Sequence, residues 1–194
     1  ICTGDGGMIT TANADFDMQF RLLRQHAMSV PDTVRHGASQ VIVESYTTLG
    51  YNYRMTDIQA AVGREQLKRL DDIFARRREL AQRYRALLAG VPGLILPHEP
   101  EWARSNWQSY CVRLPEGCEQ RSVMQHMLDD GVATRRGVMC SHRERAYQHL
   151  PLRQPLPHSE RAQDQCVLLP LYHQMAEADQ VAVATSLEKA CLPR

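Results

Sequence analysis

Over about 33 residues after Thr56, apolar side chains recur at the spacing of one helix face. Thr56 and Gln59 have the spacing of a capping box, and Asp57 adds a carboxylate to the first turn. A glycine- and proline-containing run ends the pattern at Gly90. Such a helix would be ~50 Å long, which exceeds the width of a small domain. We therefore predict a long interdomain helix over residues 56–90 that bridges two bodies or contributes to a dimer.

The two flanks of this helix differ in pattern. Residues 91–194 alternate short strands with helices and predict a small α/β domain. Its predicted strands cover residues 94–96, 107–114 and 132–139, with an extended piece at 167–170, and its predicted helices cover 121–130, 159–166 and 179–191. Residues 1–55 predict a separate body with a helix from Phe16 to about His26 and short strands at 8–11 and 41–43.

The segment from Gly50 to Ala61 is the most specific motif in the chain. Its letters are GYNYRMTDIQAA, so Asn52 and Arg54 directly precede a helix N-terminus. That end of a helix carries unsatisfied N–H groups and a positive dipole, an asparagine amide can donate to a phosphate, and an arginine can clamp one. Alternatively, Arg54 pairs with a local carboxylate and the two tyrosines only pack.

Two further polar segments are candidates. Thr3–Gly7 is glycine-rich, but it lacks the lysine of a P-loop, so a tight turn into a strand explains it equally well. Arg135 and Arg136 precede His142 and Tyr147 within thirteen positions. Arginine pairs suit diphosphate oxygens and a loop histidine can bind a sugar hydroxyl, but a solvated loop with surface arginines is the alternative.

Composition excludes several classes of function. The formal net charge is +1, without the basic excess of a nucleic-acid binder. We expect no metal site, because the histidines lack ligand spacing and the six cysteines form no C-x-x-C pair. No apolar run is long enough to cross a membrane, and we expect a cytoplasmic protein with reduced thiols. All but two of the 23 basic residues are arginine, and neither Lys68 nor Lys189 lies where burial would activate an amine.

The motif at Gly50–Ala61 and the run from Thr3 to Gly7 resemble the DegT/StrS family of pyridoxal-phosphate (PLP) nucleotide-sugar aminotransferases, and the resemblance extends over the whole chain. It implies a fold-type-I PLP transferase. Residues 1–55 would be a remnant of the PLP-binding large domain, followed by the interdomain helix and the small C-terminal α/β domain. It also implies amino transfer, from glutamate, to a keto group of a nucleotide-linked sugar in polysaccharide or antibiotic-sugar biosynthesis.

The resemblance assigns roles to individual residues. Asn52 would reach the PLP phosphate of the partner subunit in a homodimer, with Arg54 beside it. His142, Arg135, Arg136 and Tyr147 would contact the nucleotide-sugar, although Met139–Ser141 departs from the Tyr-Pro version of this loop that many members have. The Schiff-base lysine of the family would precede Ile1, so no catalytic residue is assigned and we expect residues 1–194 alone to be inactive.

Two alternatives stay open within this interpretation. A related branch of the family replaces the lysine with histidine and carries out PLP-dependent dehydration or deoxygenation of sugars. The chain could also be a non-catalytic dimerisation or regulatory module. The residue just before Ile1, lysine or histidine, discriminates the first alternative, and PLP binding discriminates the second.

Overall fold

The computed structural model describes residues 1–192 and divides the chain into two compact units, Ile1–Leu70 and the part from Asp71 onward. The first unit contains helices and isolated β-bridges, and the second contains helices and a three-stranded sheet. This mixture confirms the α/β class. The division falls inside the segment predicted as one helix, whereas the predicted domain boundaries lie at residues 55 and 90.

Three helices make up the regular structure described in the first unit: α1 (Ala14–Leu23), α2 (Asp32–His36) and α3 (Asp57–Leu67). Asn13 caps α1 by accepting hydrogen bonds from two first-turn N–H groups. The strands predicted at residues 8–11 and 41–43 are absent, and Val41 is 93% exposed. A strand needs a hydrogen-bonded neighbour, and backbone pairing within this unit is limited to isolated bridges.

The predicted long helix is interrupted at Lys68 and Arg69, after which α4 (Leu70–Leu88) begins. The Arg69 N–H donates to the carbonyl of Gln66, three residues back, instead of four. Lys68 provides a basic group at the end of α3, and Asp71 and Asp72 provide carboxylates in the first turn of α4. These charges suit a helix C-terminus followed by a helix N-terminus, which gives a physical reason for the interruption.

The second unit continues from α4 as β1 (Tyr110–Arg113), α5 (Gln120–Asp129), β2 (Arg135–Arg136), a 3-10 turn (Ser141–Arg143), α6 (Pro157–Gln165), β3 (Cys166–Leu169) and α7 (Glu177–Cys191). The sheet order is β1-β3-β2 and both pairings are antiparallel. The strand predicted at 94–96 is reduced to a single bridge between Ile95 and Arg113. The strand predicted at 132–139 is reduced to Arg135–Arg136, and the Gly137 N–H adds one more hydrogen bond to β3 at the Cys166 carbonyl oxygen.

One hydrophobic core joins the helices of the second unit to its sheet. Alternate residues of β1 and β3 face this core, as the period-2 geometry of strands requires. It contains Leu80, Tyr84 and Leu88 of α4, Tyr110 and Val112 of β1, Val123 and Met127 of α5, Val167 and Leu169 of β3, and Val183, Ala184 and Leu187 of α7. Since α4 supplies part of this core, it folds with the small domain.

No helix within residues 1–192 is long and apolar enough to cross a membrane. All six cysteines carry free thiols.

Candidate functional site

The main chain around Asn52 is held by hydrogen bonds to the end of α1. The N–H of the preceding residue donates to the carbonyl oxygen of Leu23 at 2.7 Å, and the N–H of the following residue donates to that of Arg24 at 2.8 Å. Asn52 itself forms an antiparallel bridge with Gln25. The backbone that carries this asparagine is therefore fixed on both sides, while its side chain lies at the surface.

Gly50 allows this close approach. A Cβ atom at residue 50 would lie 2.1 Å from the backbone nitrogen of Ala27 and 2.2 Å from the carbonyl carbon of His26. His26 and Ala27 both have left-handed backbones, with φ of 63° and 56°. Such conformations are unfavourable for residues with a Cβ and persist where surrounding structure enforces them. Here the left-handed turn at His26 and Ala27 packs against Gly50, at the start of the segment that carries Asn52.

Asn52 and Arg54 are in direct contact. The Arg54 Nε–H donates to the Asn52 Oδ1 at 3.3 Å, and both residues are exposed. With its oxygen accepting this bond, the Asn52 amide presents its Nδ2–H donors to a ligand. The rings of Tyr51 and Tyr53 are stacked, with centroids 5.0 Å apart. The structure thus brings the two predicted cofactor-binding side chains together.

The start of α3 has the predicted capping box. The Gln59 N–H donates to Thr56 Oγ1 at 3.2 Å, and the Thr56 N–H donates to Gln59 Oε1 at 3.0 Å. Gln59 Nε2 also donates to the carbonyl oxygen of Asp5 at 3.0 Å, so the glycine-rich run lies beside this helix end. Arg54 and the helix dipole make the region attractive to an anion, while Asp57 opposes them.

The other four predicted site residues lie in the second unit, in or near the 137–147 loop that follows edge strand β2. Arg135 and Arg136 form β2, and Arg136 pairs with Glu144 at 3.1 Å. The Tyr147 N–H donates to the carbonyl oxygen of the same Glu144 at 2.9 Å, and Tyr147 is half exposed. Glu144 therefore connects Arg136 to Tyr147, whereas Arg135 is exposed at the sheet edge.

His142 is largely buried and its ring is engaged. Its Nε2 lies 3.0 Å from Glu160 Oε1, and its side chain is 14% exposed. The His142 hydrogen bond, with Arg143 beside it, holds the pKa of the Glu160 carboxyl below its ordinary value. His142 also lines a groove of about 520 Å³ together with Val138, Met139, Cys140, Ser141, Leu156, Ser159 and Ala162. Arg135, Arg136 and Tyr147 do not line this groove.

A model of the DegT/DnrJ/EryC1/StrS aminotransferase family matches residues 1–188. The chain belongs to this family. The match to DegT/DnrJ/EryC1/StrS aminotransferases includes both groups of predicted site residues, Asn52 with Arg54 and the four residues from Arg135 to Tyr147.

Three solved structures have the same fold as this chain. The aminotransferase TlmJ from Streptoalloteichus hindustanus superposes with a TM-score of 0.81 at 28% identity, over 97% of this chain and 48% of TlmJ. DesV from S. venezuelae gives 0.79 at 25% identity, over 95% of this chain and 46% of DesV. DesI was solved in the presence of its TDP-sugar product. It superposes with a TM-score of 0.79 at 25% sequence identity, over 94% of this chain and 44% of DesI. The chain spans slightly less than half the length of each protein.

Sequence reasoning missed the residues of α6 that hold the 137–147 loop. Glu160 contacts His142 and Arg143, and Asp164 contacts Arg143 at 2.7 Å. Glu160 and Asp164 are four residues apart in a segment predicted to be helical, so the sequence could have placed both carboxylates on one helix face. The sequence could not have identified their partners, which lie about 20 residues away in a loop. Within residues 1–192, no group of three or more His, Cys, Asp or Glu side chains could hold a metal ion.

Proposed function

We propose that this chain is part of a PLP-dependent aminotransferase that moves an amino group, from glutamate, onto a keto group of a nucleotide-linked sugar. The observation that carries the proposal is the contacting pair of Asn52 and Arg54 directly before the capped start of α3. Family membership supports the class of reaction, and the TDP-sugar product of DesI supports the class of substrate.

The residues before α3 fit the phosphate group of PLP. A phosphate dianion needs donors and positive charge, which the Asn52 amide, the Arg54 guanidinium and the helix N-terminus supply together. Because the backbone around Asn52 is already held by hydrogen bonds, binding would have to order only the side chain, which lowers the entropic cost. When bound, PLP supplies the electron sink for moving the amino group. In this proposal the chain anchors the cofactor by its phosphate.

The second group of residues would hold the nucleotide-sugar. Arg135 and Arg136 carry charges that suit a diphosphate, and His142 lies in a groove where it can meet a sugar hydroxyl. Tyr147 provides a half-exposed ring and hydroxyl at the end of the loop. We assign these four residues to substrate binding, in a cytoplasmic enzyme whose residues 1–55 belong to the PLP-binding domain.

We further propose a homodimer in which Asn52 binds the cofactor of the partner subunit. Closed twofold dimers are the commonest soluble assemblies, and their sites can include residues of both subunits. The exposure of Asn52 and of its tyrosine neighbours supports an arrangement in which these side chains meet another subunit.

PLP affinity tests the assignment of Asn52. In the complete polypeptide that contains these residues, Asn52→Ala should weaken PLP binding about 10- to 100-fold, the range for one hydrogen bond to a charged group. Asn106→Ala is the matched control, because Asn106 is exposed and its side chain accepts a hydrogen bond from the N–H of Gln108 two residues on. Equal PLP affinity in the two variants would contradict the assignment.

Mixing two defective variants tests the action of Asn52 across the dimer. One variant is Asn52→Ala and the other lacks the Schiff-base lysine predicted to precede Ile1. If each site combines groups of both subunits, randomly mixed dimers should regain about one quarter of wild-type activity. If Asn52 serves its own subunit, the mixture stays inactive.

Isotope transfer separates the reaction from dehydration. Nitrogen-15 from labelled glutamate should appear in the sugar product by mass spectrometry. A sugar product that has lost water and gained no nitrogen would identify a dehydratase. If the protein binds no PLP, the remaining alternative is a non-catalytic dimerisation module.

A further inference from the structure

We propose that Glu160, on α6, is a positioning residue that holds His142 for the nucleotide-sugar. This inference rests on the function proposed above for the 137–147 loop. It adds to that function an element, α6, that the sequence did not connect with the site.

Helix α6 binds the loop through one face. Glu160, Gln163 and Asp164 have the i, i+3, i+4 spacing that places side chains together on a helix. Glu160 contacts His142 at 3.0 Å and Arg143 at 3.2 Å, and Asp164 contacts Arg143 at 2.7 Å. Gln163 Oε1 accepts a short hydrogen bond from the Cys140 backbone N–H. Three side chains within little more than one turn of α6 thus tie the helix to residues 140–143.

The start of the loop is fixed to the same helix by close backbone packing. The Gly137 N–H donates to the Cys166 carbonyl oxygen at 2.6 Å. A Cβ atom on Gly137 would lie 2.5 Å from the Ala162 carbonyl oxygen and 3.1 Å from the Cys166 Cβ. Because residue 137 and residues 140–143 are all held by α6 or by the residue after it, the loop conformation depends on this helix.

The chemistry of the His142–Glu160 contact decides which ring nitrogen can bind a ligand. An ionised carboxylate only accepts hydrogen bonds, so the ring must carry a proton on Nε2. This leaves Nδ1 as the ring nitrogen for a substrate hydroxyl. His142 lines the same groove as Ser159 and Ala162 of α6, so the helix supplies both the ring's partner and part of the groove wall.

Replacing Glu160 should affect substrate affinity and folding stability to different degrees. Glu160 is one-third exposed at its side chain, and ion pairs at such sites contribute little to folding. Misplacing a ring that binds substrate can still lower affinity strongly, because the hydrogen bond depends on distance and angle. A positioning role therefore predicts a binding defect without an unfolding defect.

The test uses the PLP-loaded full-length enzyme with a nucleoside-diphosphate keto-sugar as probe. Glu160→Ala should raise the KM for this sugar about tenfold, with a smaller change in kcat. Glu160→Gln, which keeps an acceptor oxygen for Nε2–H, should restore most of the affinity. Glu177→Ala is the matched control, because the Glu177 carboxylate on α7 pairs with Arg83 of α4. All three variants should unfold at the wild-type temperature.

Two comparisons make the inference falsifiable. In a His142→Ala background, Glu160→Ala should add no further loss, since its effect passes through the ring. Asp164→Asn should raise the KM less than Glu160→Ala does, since Asp164 holds the loop through Arg143 and Glu160 contacts the His142 ring directly. An unchanged KM in Glu160→Ala, or a loss that persists without His142, would overturn the proposal.

The amino-donor half-reaction separates this inference from the proposed function. Glutamate alone should change the visible spectrum of the bound cofactor equally in wild type and in every Glu160 variant. If wild type gives no spectral change with glutamate, the proposed function fails. If glutamate reacts normally while the sugar KM of Glu160→Ala equals that of wild type, only the role of Glu160 fails.

Discussion

The two units hold their candidate site residues by different means. In the first unit, the buried hydrophobic side chains among those described are Ala27 and Met28, and Asn52 is held by main-chain hydrogen bonds. In the second unit, a continuous core supports the sheet, and the 137–147 loop is tied to α6 by side chains. A phosphate ligand suits the first arrangement, because a fixed backbone presents a donor. The arrangement in the second unit suits a substrate that differs among relatives, because a single substitution can change one side-chain contact and leave the others in place.

The largest contrast should come from identical leucine truncations. Leu187→Ala removes a fully buried side chain from the second unit and should cost about 2–5 kcal/mol. Leu49→Ala removes an 86% exposed side chain from the first unit and should change stability by less than about 0.5 kcal/mol. Urea unfolding followed by circular dichroism measures both. Comparable costs would show that the first unit has a core of its own.

Two neighbouring tyrosines sharpen the account of the second unit. The Tyr84 hydroxyl donates to the Pro170 carbonyl oxygen at 2.8 Å, whereas the buried Tyr110 hydroxyl has no partner among the described residues. Tyr84→Phe should therefore cost about 1 kcal/mol, and Tyr110→Phe should be neutral or slightly stabilising. The ring centroids are 5.1 Å apart, so each variant controls for the other. Equal costs in urea unfolding would refute this distinction.

Loss of a helix cap should have a local effect in the first unit. Thr56→Ala removes the α3 capping box and should cost about 1 kcal/mol. Since α3 buries no side chain, we expect faster amide exchange confined to this helix. Glu119→Ala removes the cap of α5, which buries Val123 and Met127, and should instead lower stability across the second unit. Exchange measured residue by residue distinguishes the two patterns.

The smallest effect concerns one carboxylate in each unit. A hydrogen bond from the Ser105 N–H, together with Arg78, holds the pKa of Glu99 below its ordinary value. A lowered folded-state pKa gives stability that is present above the unfolded value and is lost as pH falls through the folded one. The unfolding temperature of wild type should therefore approach that of Glu99→Gln below the ordinary carboxyl range.

Glu44 provides the counterpart in the first unit. A backbone hydrogen bond and Arg35 also lower the pKa of its carboxyl. Glu44→Gln should alter the acid sensitivity of the first unit alone. A single acid transition that responds to both variants would argue that the units unfold together.

The sequence predicted elements whose signals are local. The Thr56–Gln59 capping box is present, and the helices predicted at 121–130 and 179–191 occur within two residues of their predicted starts. Their caps and apolar spacing lie within the helices themselves. The interruption at Lys68 was missed because the apolar stripe continues through it, although Asp71 and Asp72 marked a new helix start.

Longer-range features could not be predicted. Asn52 and Arg54 were identified from a motif, but the contact of Asn52 with Gln25 depends on how a distant segment folds back. The pairing of His142 with Glu160 likewise joins a loop to a helix that lies 18 residues further along the chain. Side-chain partners across such distances depend on tertiary packing, which no local spacing encodes.

The contact at Gly50 limits how this protein can be recombined. The turn at His26–Ala27 leaves no room for a side chain at residue 50, so the conformations of residues 23–27 and 50–53 depend on each other. A chimaera that took one of these segments from a relative with a different turn would displace Asn52, even with every polar side chain retained. For the engineer, these two short segments are one exchangeable part.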